Sequence, residues 1–331
     1  MPAAPLRRPA AGLSPLLARR LVVVTGKGGT GKTSVVAALG RAAANAGHRV
    51  LLVETGRDEN LPRLLSRDGR PAGYAGRSYD DGLRSMRIDP YDALAEYLRL
   101  QLGVPGLVTR VLHNRGFRQL MDAAPGWREL ITLGKVWHLE QQKDPRGEPL
   151  HDLLIVDAPA TGHGLTFLDV PRVVVSAVRA GPLKRHASAV EAMLEDEAAT
   201  LLVPVALPEE LPARETAELV HRVREGVGIR VDRVVVNAVP APPFPAALPD
   251  LDARLATLPA DARIPGLPDP RVLARCAAHL RGRYELAQEY VARIGEWTGL
   301  PLVALPWLAQ GVRGPAELDR LAEALLAGEA S

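Results

Sequence analysis

The sequence predicts an α/β protein: a doubly wound, mostly parallel sheet with an inserted helical subdomain. Three observations predict it. Seven strand-like runs recur along the 331 residues. Most are unbroken apolar runs, as expected of strands covered on both faces. Helical stretches alternate with them, which is the pattern of a parallel, doubly wound sheet.

The lead-in comes first. Arg7, Arg8, Arg19 and Arg20 make residues 1–20 a solvated, flexible segment. It lacks the long apolar core of a signal peptide. The domain proper then runs from 21 to 331. Its first strand, Leu21–Thr25, ends in Gly26-Lys27-Gly28-Gly29-Thr30-Gly31-Lys32-Thr33. This loop fits the phosphate-binding pattern G-x-x-x-x-G-K-[ST]. A loop that wraps a polyanion with backbone N–H groups leaves no room for side chains at the turn. Gly26, Gly28, Gly29 and Gly31 remove them and permit positive φ. The helix beginning near Lys32, through Ser34 to Leu39, aims its free N–H groups and positive dipole end at the phosphates. Lys32 is placed for the β- and γ-phosphates, and the Thr33 hydroxyl for Mg²⁺. A P-loop NTPase binding ATP or ADP through Gly26–Ser34 is therefore expected; the alternative is a chance glycine-rich turn. Lysine usage supports the first reading. Of 41 basic residues only five are lysine, and two of those are Lys27 and Lys32. A compact ammonium sits where phosphate is met.

Val50–Glu54 and Arg84–Ile88 are the next strands. Residues 89–147 then interrupt the rhythm with expected helices at Tyr91–Leu102, Gly106–Met121 and Trp127–Gln142, the helical subdomain. Trp127, Leu130, Ile131, Gly134 and Trp137 fall on one helical face. That face is either core packing or a groove for a client or partner. The strand Leu153–Asp157 follows. A carboxylate at its tip, beside a phosphate loop, suits Asp157 to hold Mg²⁺ through water; a helix cap is the alternative. Ala160–Gly164 reads as a flexible loop able to sense a γ-phosphate. Strands at Leu201–Ala206, Arg233–Ala238 and Leu302–Leu305 complete the set. Between the last two lie a proline-rich loop at Pro240–Pro249 and helices around Pro270–Arg281 and Arg283–Thr298. A helix over Glu317–Leu326 closes the chain.

Composition prunes the functions. The net charge of +3 comes without a basic block, so nucleic acid is not implied. No run reaches about 18 apolar residues, so no membrane span is expected and the protein reads as cytoplasmic. The C-terminal helix mixes acids with arginine, unlike a basic membrane-surface helix. Cys276 is the only cysteine. That excludes an internal disulfide, a thiolate metal centre within one chain, and a CxxC clamp across a dimer.

These motifs resemble a family. The loop at 26–33, with its second lysine Lys27, resembles the deviant phosphate loop of the ParA/MinD/NifH/ArsA class. Asp157-Ala158-Pro159-Ala160-Thr161-Gly162-His163 resembles the D-T-A-P-T-G-H switch II of the ArsA branch, which includes arsenite-pump and GET-pathway ATPases. Its switch II residues here are Pro159, Thr161, Gly162 and His163. Ala124-Pro125-Gly126-Trp127-Arg128-Glu129 matches that branch's P-G-x-x-E segment. Asn237 matches its adenine-reading asparagine, and Pro306 through Val312 to Gly314 looks like its adenine-side loop. The motifs fall in family order over about residues 20–328. The resemblance implies a dimeric, ATP-hydrolysing switch that couples nucleotide state to a hydrophobic client or partner protein. Lys27 would reach the partner subunit's phosphates, as an arginine finger does. The dimer is a homodimer or a heterodimer with a paralogue.

Two departures stand out. Switch I of the family reads D-x-D-P-A-H or similar, and its second Asp orients the attacking water. Here Glu54 falls at the first Asp and Gly56 at the second. Losing such a group costs about 10²–10⁴-fold in rate. Glu54, Asp58 or Glu59 is left to substitute; otherwise the chain is a slow or pseudo-ATPase subunit beside a complete paralogue. Gly311 replaces the acidic residue of the adenine-side loop. One cysteine rules out the family's iron–sulfur, arsenite-thiol and zinc-clamp chemistries. A ParA/MinD-like positioning role ranks below both readings.

Overall fold

The structure is a computed structural model. It describes residues 16–79, 82–102, 110, 114–123, 126–259, 262–263, 266 and 268–327. Eight strands form one sheet in the order β3-β4-β2-β5-β1-β6-β7-β8. They are β1 (Leu21–Gly26), β2 (Val50–Glu54), β3 (Arg77–Ser78), β4 (Leu83–Arg87), β5 (Leu153–Ala160), β6 (Thr200–Ala206), β7 (Val234–Val239) and β8 (Leu302–Pro306). All neighbours pair in parallel except β3 with β4. All seven expected strands are present. The eighth, β3, is two polar residues held by backbone pairing, with no apolar run to announce it.

The double winding follows from alternation within each strand. Leu21 and Val23 of β1 point to one core, Val22 and Val24 to the other. Leu154 and Val156 of β5 divide from Leu153 and Ile155 in the same way. Strands apolar on both faces need helices on both faces. One face is covered by α1 (Lys32–Asn45), α2 (Leu61–Leu65) and, at the end of the chain, Pro315–Ala327. The other is covered by α3 (Pro90–Leu102), α4 (Arg115–Ala123), α5 (Trp127–Glu140), α6 (Thr161–Ala177), α7 (Pro182–Glu195), α8 (Glu210–Arg222) and α10 (Pro270–Thr298), with α9 (Leu251–Ala256) packed on α10 outside the core and the last helix numbered α11. The chain starts at the central strand β1 and winds outward through β2 and β4. It returns through β5 and then leaves on the other side through β6. That reversal opens a crevice at the carboxyl end of β1, where ligands of such sheets bind.

The helical insertion between β4 and β5 comprises α3, α4 and α5. Of the expected Gly106–Met121 helix, only its later part lies among the described residues, and Ala124 and Pro125 lie outside them. On α5, Trp127, Leu130 and Ile131 are buried, and Gly134 lets the His186 imidazole of α7 approach the helix backbone. The half-buried Trp137 meets the same imidazole edge-on at 5.7 Å. The apolar face of α5 packs between α3 and α7, leaving a small cavity lined by Ile131, Gly134 and Trp137.

Three expectations need correction. Residues 16–20 are not a solvated lead-in: Leu16 and Leu17 are buried in the core. Arg20 donates to Glu140 Oε1 at 3.0 Å and to the His151 carbonyl at 2.9 Å. Ala160–Gly164 is not a loop, because β5 runs to Ala160 and α6 begins at Thr161. The helices expected on either side of Gly282 are one 29-residue helix, α10. An interior glycine costs a helix only about 1 kcal/mol, and Arg281 at that point clamps Asp252 of α9 through Nε at 2.5 Å and Nη2 at 2.6 Å.

If residue 17 belongs to the core, Leu17→Ala should lower the unfolding free energy by about 2–4 kcal/mol. The exposed Leu326→Ala should change it by less than about 0.5 kcal/mol. Urea unfolding of both variants makes the comparison, and equal midpoints would return residue 17 to the lead-in.

Candidate active site

β1 delivers its loop between β5 and β6, where the backbone has little clearance. Gly26 has φ +152° and a Cβ there would collide with the Val205 carbonyl oxygen of β6. Gly31 has φ +87° and a Cβ there would collide with the Asn237 amide. Gly29, at φ +86°, faces open space. Gly28 does not adopt positive φ, so the expectation fails at that one glycine.

The loop is laced around the Lys27 carbonyl. Thr30 Oγ1 donates to it at 2.9 Å and Lys32 Nζ at 3.1 Å. Asn237 Nδ2 in turn donates to the Thr30 carbonyl at 2.9 Å. The side chain expected to read adenine thus also braces the phosphate loop against β7. Helix α1 starts at Lys32 behind Gly31, which has no side chain to cap it, and carries no acid in its first turn. Its leading N–H groups, Thr33 and Ser34 among them, present a positive dipole end suited to an anion.

Behind the loop, Thr33 Oγ1 donates to Asp157 Oδ2 at 2.6 Å. Thr55, just after β2, donates to the Asp157 carbonyl at 2.7 Å. Burial pushes the Asp157 carboxyl above its ordinary pKa, against the Thr33 hydrogen bond and the nearby Lys32 charge. Burial also pulls the Lys32 ammonium down, with Asp157 opposing. A hydroxyl and a carboxylate aimed at one point are hard oxygen donors of the kind Mg²⁺ takes. The residues present therefore fit that ion. Pro159 contributes its carbonyl, which accepts from Thr25 Oγ1 at 3.4 Å.

Acids in and just after β2 bind backbone. Glu54 lies beside Asp157 across the β2–β5 pairing. Its Oε1 accepts from the N–H groups of Asn60 at 2.7 Å and Leu61 at 3.1 Å, capping α2. Glu59 Oε2 accepts from Ala72 N–H at 2.6 Å, and its carboxylate also takes Gly73 N–H. Two of the three proposed substitutes for the missing Asp thus hold backbone. The third, Asp58, is exposed and lines a polar cavity with Arg57, Arg63 and Arg87. At Gly56 the nearest atom to a built Cβ is the Asp58 carbonyl at 3.8 Å. Nothing in the packing requires a glycine there.

On the far side of the loop a cleft of about 780 Å³ is lined by Gly29, Asn237, Arg283, Tyr284 and Trp307. Its floor is shaped by Ala238, whose φ is +57°. Pro306 pairs with Val239, and Trp307 N–H donates to the Val239 carbonyl at 2.8 Å. Val312 packs half-buried against the core. Gly311 sits at φ +68° in a turn closed to the Leu308 carbonyl at 2.9 Å, a conformation an acidic residue adopts only with strain. Arg283 and Tyr284 escaped the sequence reading, because they reach the site through tertiary contact and no motif spacing marks them; Thr55 was passed over between Glu54 and Gly56. The side chains of Thr161, Gly162 and His163 lie outside the described residues.

Comparison of the sequence with known proteins shows the family. The family described as "Anion-transporting ATPase" (ArsA_ATPase) matches residues 19–185. ATPase BagA of Mycobacterium tuberculosis is 31% identical over 312 residues, 88% of each chain. The chain belongs to the anion-transporting ATPase family. ATPase get3 of Neurospora crassa is 26% identical over 350 residues, covering 93% of this chain and 90% of that one. ATPase ARSA1 of Chlamydomonas reinhardtii is 26% identical over 282 residues, 68% of this chain and 36% of that protein.

In this member of the ArsA family the phosphate-loop pattern G-x-x-x-x-G-K-[ST] is complete, from Gly26 to Thr33. No helix among the described residues is long and apolar enough to cross a membrane.

The buried Glu54 carries a pH signature. Burial and the neighbouring Asp157 and Glu59 charges push its carboxyl up to about 7, against the two backbone hydrogen bonds. The unfolded chain releases this proton near the ordinary carboxylate pKa, so the folded state binds more protons between those values. Stability should then fall as pH rises from about 5 to about 7, on the order of 2 kcal/mol from this group. Glu54→Gln keeps the acceptor and removes the titration. Its unfolding midpoint should vary less than wild type over that range, and a parallel pH profile would count against the assignment.

Proposed function

We propose that this chain is an ATP-hydrolysing, dimeric switch whose nucleotide state controls binding of a hydrophobic client or partner protein. The observation that carries the reading is the Thr33–Asp157 contact at 2.6 Å, set directly behind a glycine cradle and the Lys32 ammonium. The cradle's N–H groups and the α1 terminus bind the phosphates. Lys32 turns from the Lys27 carbonyl to the β/γ-phosphate oxygens. Thr33, and Asp157 through water, would hold Mg²⁺, which would supply positive charge beside those oxygens. Water then attacks the γ-phosphorus, the bond to the β-phosphate oxygen breaks, and ADP, phosphate and a proton leave. Asn237, Arg283, Tyr284 and Trp307 take the nucleoside end in the cleft. Lys27 acts across the dimer.

The client side rests on the helical insertion. A cavity of about 100 Å³ between α3, α5 and α7, with Leu100 exposed at its rim, gives an apolar side chain an entrance.

Gly56 favours a second reading: a binding subunit that turns ATP over slowly, beside a catalytically complete paralogue. Steady-state phosphate release by the full chain separates the two, with Lys32→Ala as the inactive control. Turnover above that control supports the enzyme; turnover equal to it, with ATP still bound by wild type, supports the binding subunit. Gly56→Asp should raise turnover by about 10–10²-fold, within the range that positioned acid–base groups supply. No gain from that variant would mean that the water is oriented by another group.

A further inference from the structure

Lys27 is not waiting in solvent. Its Nζ donates to Glu215 Oε1 at 2.7 Å, with each side chain about one-third exposed. Glu215 stands on α8, in the same chain, 188 residues further on. The contact is therefore made by the fold and not by local sequence.

We propose that Glu215 is a cis latch. It occupies the Lys27 ammonium and must be displaced before Lys27 can meet a phosphate oxygen, in its own cleft or across a dimer. This inference rests on the nucleotide reading above and adds a competing carboxylate to it. The geometry suits a latch that opens. A carboxylate and a phosphate oxygen compete for the same donor, and the ammonium cannot make its closest contact to both. A pair one-third exposed is held weakly, so a polyphosphate, with more charge on the same donor, outcompetes it. The rest of Lys27 stays fixed meanwhile, because its carbonyl is held by Thr30 and Lys32. Only the side chain needs to swing.

Helix α8 is also placed to report the release. The Leu207-Pro208-Glu209 turn that leads into it lines the nucleotide cleft with Gly29. At its other end it runs into a π turn, Val223–Val227, which packs against α6, the helix opened by Thr161, Gly162 and His163. One rigid element thus touches the lysine, the cleft and the switch II helix.

The test is ATP saturation of the full chain in the presence of Mg²⁺, measured by calorimetry for wild type, Glu215→Gln, Lys27→Ala and the double variant. Glu215→Gln should lower the half-saturating ATP concentration about two- to five-fold, the worth of a partly exposed ion pair. That gain should vanish in the Lys27→Ala background, because the latch acts only through that lysine; a merely structural role would persist there. Glu215→Ala should shift in the same direction, which guards against a peculiarity of the amide. Unchanged or weaker saturation by Glu215→Gln, or a gain that survives loss of Lys27, overturns the latch while leaving the nucleotide site intact. Failure of wild type itself to saturate with ATP overturns both.

Discussion

A carboxylate buried within a central strand needs a partner that offsets the loss of water. Asp157 finds one in the Thr33 hydroxyl at 2.6 Å, and the rest of the site depends on that contact. It ties the first turn of α1 to β5 and so fixes where the phosphate loop sits relative to the sheet. Thr55 adds a second tie, from the switch I side to the Asp157 carbonyl. Three carboxyl-terminal strand ends, those of β1, β2 and β5, are thereby registered on one residue. Burial that raises the Asp157 pKa and lowers that of Lys32 marks the same point as a place where charge is expensive to hold alone. A bound divalent cation and a polyphosphate would relieve both.

The clearances around the loop impose a second constraint. Gly26 must pass under the Val205 carbonyl and Gly31 must pass the Asn237 amide. These are backbone-to-neighbour contacts, so a methyl group at either position would push the loop away from β6 and β7. Asn237 therefore has two jobs in one place. It holds the Thr30 carbonyl, and it stands at the mouth of the cleft that the nucleoside would enter. Ala238 takes a left-handed conformation beside it, local strain of the kind that surrounding structure tolerates at functional positions.

The acids of switch I show how one sequence motif can be rewritten by packing. Glu54 and Glu59 look like spare catalytic carboxylates when read in a line. In space each closes a turn, Glu54 at the start of α2 and Glu59 at residues 72–73. Gly56, by contrast, is not demanded by its surroundings, whereas Gly311 is, because its turn needs a positive φ. Two glycines that look like equivalent losses from the family pattern thus have different physical standing.

The strands, their parallel order and the phosphate loop were legible in the sequence because each is written locally. Two-faced apolar runs can be buried only between helix layers, and a glycine-rich turn before a lysine and a threonine has one plausible use. Thr33 and Asp157 were singled out for the same reason, each beside an apolar run near the loop, and the fold brings them together at 2.6 Å. Tertiary structure alone decided the rest. The tie from Lys27 to Glu215 spans 188 residues, and the cleft residues Arg283 and Tyr284 arrive on a helix that the sequence divided in two. The docking of Leu16 and Leu17, the continuity of α10 through Gly282 and the commitment of Glu54 to α2 all follow from long-range packing. Such packing leaves no periodicity in the chain, because the partners are chosen by the fold and not by their neighbours in sequence.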